Sequence, residues 1–352
     1  MNTHRRLIVA TLFLALLGLI WGSPAQAPPL SGQGRYRFRV LYTSAHLPGE
    51  AVQALAKAHG GFAVDRRPGR GEIYFALPGA GLIQISADLT RTRLIETPPE
   101  LRQTNLHNTA IWYAADGEAY LSFAANQAGR LYTTTLEGRL VHTLGPPQPD
   151  VDLGHPVANN YFRGGGSFVP TDVAMADGLF YVTTGYSKLD FVLTARLNSL
   201  RPPEIAWHDL SFGGKGSAAG QFGTGHGIAV APDGASIDVA DRPNSEIDRF
   251  TRQGRYLGAW RMPDGSWPCD VDYLGRYAVV AALHGPDRSR GAPIYLFEDG
   301  RLVSTILPEQ ELGLADFKHV HHAVLVERGG KLYVVAQAWN PGDFAVLEQV
   351  SD

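Results

Sequence analysis

The sequence predicts an all-β chain folded as a six-bladed β-propeller whose last blade is closed by an N-terminal strand. Three observations predict it. First, 40 glycines and 23 prolines in 352 residues make a turn-rich chain, which disfavours a helical bundle. Second, the chain repeats a unit of apolar strand, Asp-Gly turn and second strand. His226 leads through Asp233-Gly234 to Arg242, and Thr171 leads through Asp177-Gly178 to Tyr186. Asp-Gly tolerates positive φ and so favours tight hairpins. Third, units starting near 107, 171, 226, 269 and 322 are spaced by 64, 55, 43 and 53 residues, which suits blades with unequal loops.

The elements follow in order. Arg5 and Arg6, an apolar run over 7–20 and Ala25-Gln26-Ala27 have the layout of a secretory signal peptide over 1–27. The run is 14 residues, shorter than the roughly 18 of a membrane span. Residues 28–352 then form a single propeller domain, periplasmic or secreted, with no transmembrane segment in the mature chain. Residues 36–43 alternate, with Tyr36, Phe38, Val40 and Tyr42 on one face, and supply the closing strand. A short helix is expected over 50–59. A first blade fits 65–100, with strands at 72–77 and 82–86. Later units turn at Asp116-Gly117, Leu274-Gly275 and Gly329-Gly330. Second hairpins turn at Glu137-Gly138, Gln253-Gly254 and Asp299-Gly300. The last unit has strands at 323–327, 331–336 and 344–349. Gly213-Gly214-Lys215-Gly216 lacks the spacing of a phosphate loop and reads as the approach to a blade.

Composition excludes several functions. The formal charge is −3, too balanced for a protein held to nucleic acid by a basic face. Charged residues are 18% and apolar residues 44%, which supports a large core. Cys269 is the one cysteine, so no internal disulfide or cysteine-built metal site forms. A monomer is expected.

Histidines recur at blade starts. His226 and His322 each precede a turn glycine, Gly234 and Gly330, by eight residues, and His107 precedes Gly117 by ten. In a propeller such positions lie beside the central channel, so three imidazoles can converge on one ion. Zinc suits a three-histidine site and keeps a fourth position for water or substrate; iron or copper also accepts imidazole. His321 and His319 compete with His322, with His321 on the opposite face by simple alternation. Tyr186 and Arg242 share another phase, each eight residues beyond its turn glycine. They offer a proton-transferring phenol and a carboxylate-binding cation.

These motifs resemble NHL-repeat propellers, and among them the peptidyl-α-hydroxyglycine α-amidating lyases. The resemblance is carried by Phe168-Val-Pro170-Thr171-Asp172 with Thr184-Gly185-Tyr186, and by Phe222 through His226-Gly-Ile-Ala with Asp241-Arg242-Pro-Asn244. Gly220-Gln221-Phe222 is an NHL-like approach to a blade. It implies zinc on His107, His226 and His322, Tyr186 as base, Arg242 in the active site, and Arg70 of Arg70-Gly71 as a second arginine. The implied reaction is N-dealkylation of a peptidyl-α-hydroxyglycine to an amide and glyoxylate, with a small or peptide-derived substrate. The sequence departs from the family at Thr184, where aspartate is usual. It also departs at Val320-His321-His322-Ala323, which lacks the aspartate that helps hold a structural calcium, so the need for calcium stays open. Two other readings stand beside it: a non-catalytic propeller for a protein or glycan partner, and a metal-dependent lactonase-like hydrolase.

Overall fold

The computed structural model describes residues 27–350. The signal segment expected over 1–27 lies outside the described residues, apart from Ala27. Six antiparallel sheets form a six-bladed β-propeller. Blade one comprises Phe62–Val64, Ile73–Leu77, Gly81–Ile85 and Thr92–Ile95. Blade two runs from Asn108–Tyr113 to Leu140–Leu144, and blade three from Asp172–Ala176 to Pro203–Gly213. Blade four runs from Gly225–Val230 to Tyr256–Arg261, and blade five from Trp267–Leu274 to Arg301–Ile306. Blade six begins at Val320–Arg328.

The first strand of each blade packs on the first strand of the next, and that of blade six returns to blade one. The apolar core therefore lies between blades. Tyr181, Val192 and Phe212 of blade three, for example, bury against Ile237, Val239 and Phe250 of blade four. Burial falls outwards along a blade. Ser236–Asp241 is buried throughout, whereas Tyr256–Arg261 alternates half-buried and exposed residues, as a sheet with one wet edge should.

Ring closure matches the alternation of its strand. Tyr36–Thr43 pairs with Asp343–Gln349, with Phe38 opposite Gln349 and Thr43 opposite Ala345. Ser31–Gln33 adds a fifth strand outside it. This covers the free edge of the last blade with chain more than 300 residues away in sequence.

The wide unit spacings are also explained. Helix Pro156–Arg163 fills the gap between blades two and three, and the long hairpin Phe191–Leu200/Pro203–Gly213 widens blade three. Blade one begins at Phe62, earlier than residue 65. The helix expected over 50–59 is shorter: Gly49–Ala54 continues as a 3-10 turn, Leu55–Lys57, and releases His59 into the channel mouth. Among the described residues, no helix is long and apolar enough to cross a membrane.

Every first strand runs the same way along the axis. Strand starts share one mouth of the channel, and the hairpins into the second strands share the other.

Candidate metal centre at one mouth of the propeller

The same backbone device recurs where the first strands begin. His107 and Asn108 both stand opposite Ala124, since His107 N–H donates to the Ala124 carbonyl at 2.7 Å and Asn108 is its register partner. Register also slips by one between Gly225 and Ile228, and between Val320 and His322. These are β-bulges, which insert a residue and re-aim its side chain. The re-aimed residues include His107, His226 and His321. Thr171 and Cys269 hold the corresponding places in blades three and five.

Three imidazoles meet there. Ring centroids of His107, His226 and His321 are 4.6, 4.6 and 5.0 Å apart. His107 Nε2 lies 3.2 Å from His226 Nε2 and 3.2 Å from His321 Nε2. His107 Nδ1 is 2.6 Å from the Thr171 carbonyl oxygen, and His226 Nδ1 is 2.7 Å from that of Cys269. A carbonyl only accepts, so both Nδ1 atoms must be the protonated ones. Both Nε2 atoms therefore aim lone pairs at the same space. Burial is the main cause holding all three imidazoles well below the ordinary range, and hence neutral.

Zinc bonds imidazole at about 2.0–2.1 Å, so tetrahedral ligand atoms sit about 3.3 Å apart. The 3.2 Å separations of His107 from His226 and from His321 fit this. Among the described residues His321 Nδ1 is buried without a partner, which leaves that ring free to turn either nitrogen inward.

A fourth histidine, His59, is within reach. Its ring lies 4.4 Å from that of His107 and 4.5 Å from that of His321, and stacks on Trp339. One nitrogen each of His59, His107 and His321 lies within 4.8 Å of the others. Yet Asn105 Nδ2 donates to His59 Nδ1 at 2.9 Å and to Asn126 Oδ1 at 3.0 Å. That occupies the His59 lone pair and turns its Nε2–H into a donor. Burial pushes His59 down to about 4. His59 borders the centre, whereas His107 and His226 offer lone pairs to it and His321 can turn one inward. The sequence carried a trace of this, because His59 precedes Gly69 by the ten residues that separate His107 from Gly117.

Tyr186 and Arg242 complete the mouth. The Tyr186 hydroxyl is 3.0 Å from His226 Nε2 and 3.3 Å from His107 Nε2. Arg242 Nη1 donates to that hydroxyl at 2.8 Å, and Nη2 to Cys269 Sγ at 3.1 Å. Tyr186 is 39% exposed, so the centre opens to solvent past its ring. Burial pushes its phenol up, and the Arg242 charge opposes that rise. Gly185 makes the approach possible, because a Cβ there would collide with the Gly225 carbonyl. Arg242 is a buried cation, and among the described residues no carboxylate pairs with it. Its neighbour Asp241 turns away to accept from Gly223 N, Thr224 N and Asn244 Nδ2.

Two expected residues are elsewhere. His322 follows the bulge and points further down the channel, where Nδ1 accepts from Phe62 N at 3.2 Å and Nε2 pairs with Asp270. The structure therefore brings His321, rather than His322, to His107 and His226. Arg70 lies in the hairpin at the opposite mouth, its exposed guanidinium 4.0 Å from Glu72. It does not reach the histidines.

Comparison with known proteins places the fold. No family model and no curated protein matches the chain. Among solved structures, it is similar to a catalytically inactive variant of virginiamycin B lyase from Staphylococcus aureus, solved with quinupristin. Identity is 11%, the match covers 91% of this chain and 100% of that one, and the TM-score is 0.52. A chain of a mitotic checkpoint complex matches with 11% identity, coverage of 97% and 100%, and a TM-score of 0.53. At such identities the likeness is one of propeller architecture, which hosts enzymes and binding scaffolds alike.

Proposed function

We propose that the chain is an exported metalloenzyme of lyase type, with a transition metal, zinc foremost, on His107, His226 and His321. One observation carries this reading. The Nε2 lone pairs of His107 and His226 face each other at 3.2 Å while both Nδ1 protons are committed to carbonyls. Two facing acceptors need protons or a cation between them: Tyr186 has one proton to share, His321 Nε2 at 3.2 Å from His107 can offer another, and a metal ion would replace both. An all-imidazole set suits zinc, with iron or copper as the next candidates.

The metal, when bound, supplies Lewis-acid polarisation of a substrate oxygen. The rest is done by this chain. Arg242, a buried cation with no carboxylate partner among the described residues, binds a carboxylate of the substrate. Tyr186, held by Arg242 at 2.8 Å, exchanges a proton with a substrate hydroxyl at the solvent-facing side. Lyase chemistry on this scaffold is also consistent with virginiamycin B lyase among the neighbours.

The finer reading is N-dealkylation of a peptidyl-α-hydroxyglycine. The hydroxyl proton passes to Tyr186 and on to the departing amide nitrogen as the C–N bond breaks, which leaves glyoxylate and the amide. The test is metal analysis and glyoxylate release from an α-hydroxyglycine peptide. About one zinc per chain, lost in His226→Ala, supports the centre. Metal-free wild-type protein with unchanged stability in that variant leaves a binding propeller. Zinc without glyoxylate release retains the metalloprotein and removes the amidating-type substrate.

A further inference from the structure

A second cluster lies in blade four, behind the turn that carries Arg242. Asp241 ends one strand and Glu246 begins the next, directly opposite in register. Asp248 follows two residues on, on the same face. One oxygen from each of the three carboxylates lies within 4.8 Å of the others, and all three residues are buried. Like charges placed across a strand pair repel. Here they are also out of water, where an uncompensated carboxylate is expensive.

The protein satisfies these carboxylates unevenly. Asp241 accepts from Gly223 N at 2.9 Å, Thr224 N at 3.1 Å and Asn244 Nδ2 at 2.6 Å. Glu246 meets Arg261, whose side chain is mostly exposed, at 2.9 Å. Asp248 is 1% exposed, and among the described residues neither of its oxygens has a well-formed hydrogen bond, with the Tyr256 hydroxyl the nearest donor. Tyr256 and Arg261 are the groups nearby that favour its charge. Burial, and then Glu246, push the Asp248 carboxyl up to about 8.

We propose that Asp241, Glu246 and Asp248 form a second metal site, for a hard divalent cation of the calcium or manganese class. All-oxygen ligands favour such ions over the zinc suited to the imidazole centre. The site braces the 242–245 turn from behind. Asp241 already ties this turn to the chain ahead of His226 through Gly223 and Thr224, and Arg242 N donates to the Thr224 carbonyl. A cation there would fix Arg242 against Tyr186 without touching substrate.

This inference does not depend on the histidine centre, and its test separates the two. Full-length protein stripped with chelator is titrated with Ca²⁺, Mg²⁺ and Mn²⁺ by calorimetry, with thermal unfolding as a second readout. Wild type should bind about one ion and unfold at higher temperature with it. Asp248→Asn and Glu246→Gln should each weaken binding by about tenfold or more, whereas His321→Ala should bind as wild type does. The proposal fails if wild type binds none of the three ions. It also fails if Asp248→Asn and Glu246→Gln bind like wild type, or if His321→Ala abolishes the titration. If Asp248→Asn does not fold, Glu246→Gln decides.

Discussion

The two halves of the central channel solve the same problem differently. Near the hairpin mouth, buried and half-buried charges find partners within the chain. Asp272 accepts from Arg66 at 2.7 and 2.8 Å and from Leu325 N at 2.8 Å. Asp172 accepts from Val173 N and Ile228 N, though burial and the neighbouring Asp270 charge push its carboxyl well above the ordinary range, and Asp270 pairs with His322. At the strand-start mouth the polar groups face one another instead. His107 and His226 present acceptors to the same point, and among the described residues His321 Nδ1 has no partner and Arg242 no carboxylate. A folded chain seldom leaves such groups unmatched, and the proposed metal centre rests on that mismatch.

The largest expected effect tests that contrast at adjacent residues. His321→Ala should reduce bound zinc from about one per chain to near none. His322→Ala should keep the metal but lose about 3 kcal/mol in denaturant unfolding, because it strands buried Asp270. Reversed results would place the ion in the lower half. Next, Tyr186→Phe should lower turnover by about 10²- to 10⁴-fold with metal content unchanged. Undiminished turnover would remove the phenol from proton transfer.

A smaller effect concerns Asp190, which ties the preceding loop to the start of the His226 strand by accepting from Gly225 N at 2.9 Å. Burial raises its carboxyl from 3.8 to about 6. Between those values the folded state keeps a proton that the unfolded state has released. Its contribution is therefore present below pH 3.8 and is lost as pH rises through about 6. Relative to wild type, Asp190→Asn should gain about 2 kcal/mol across that window, read from urea unfolding at several pH values. A pH-independent difference would contradict this sign. The smallest effect is Arg66→Ala at the hairpin mouth. Its partly exposed ion pair should contribute about 1 kcal/mol, with metal content unaltered.

Much of this was legible in the residues. Asp-Gly turns marked the blades, alternation over Tyr36–Thr43 marked the closing strand, and His107, His226, Tyr186 and Arg242 were found by their phase. The third histidine was not. Gly329-Gly330 offers two turn glycines, and counting eight residues back reaches His321 from one and His322 from the other. Strict alternation then gives the wrong face, because the bulge between Val320 and His322 inserts a residue. His59 was hidden for a similar reason, since a helix expected to contain it stops at Lys57. Arg70 had only its pairing with Gly71 to recommend it, and the strand between it and the histidines carries it to the other mouth.

The sequence by itself determined the number of blades, their order and the way the ring closes, because short-range turn chemistry and strand alternation are local properties of the chain. Tertiary structure decided which imidazoles meet and whose lone pairs are left over. Those depend on one-residue slips in strand register and on carbonyls donated by the neighbouring blade, neither of which leaves a mark at the residue it affects.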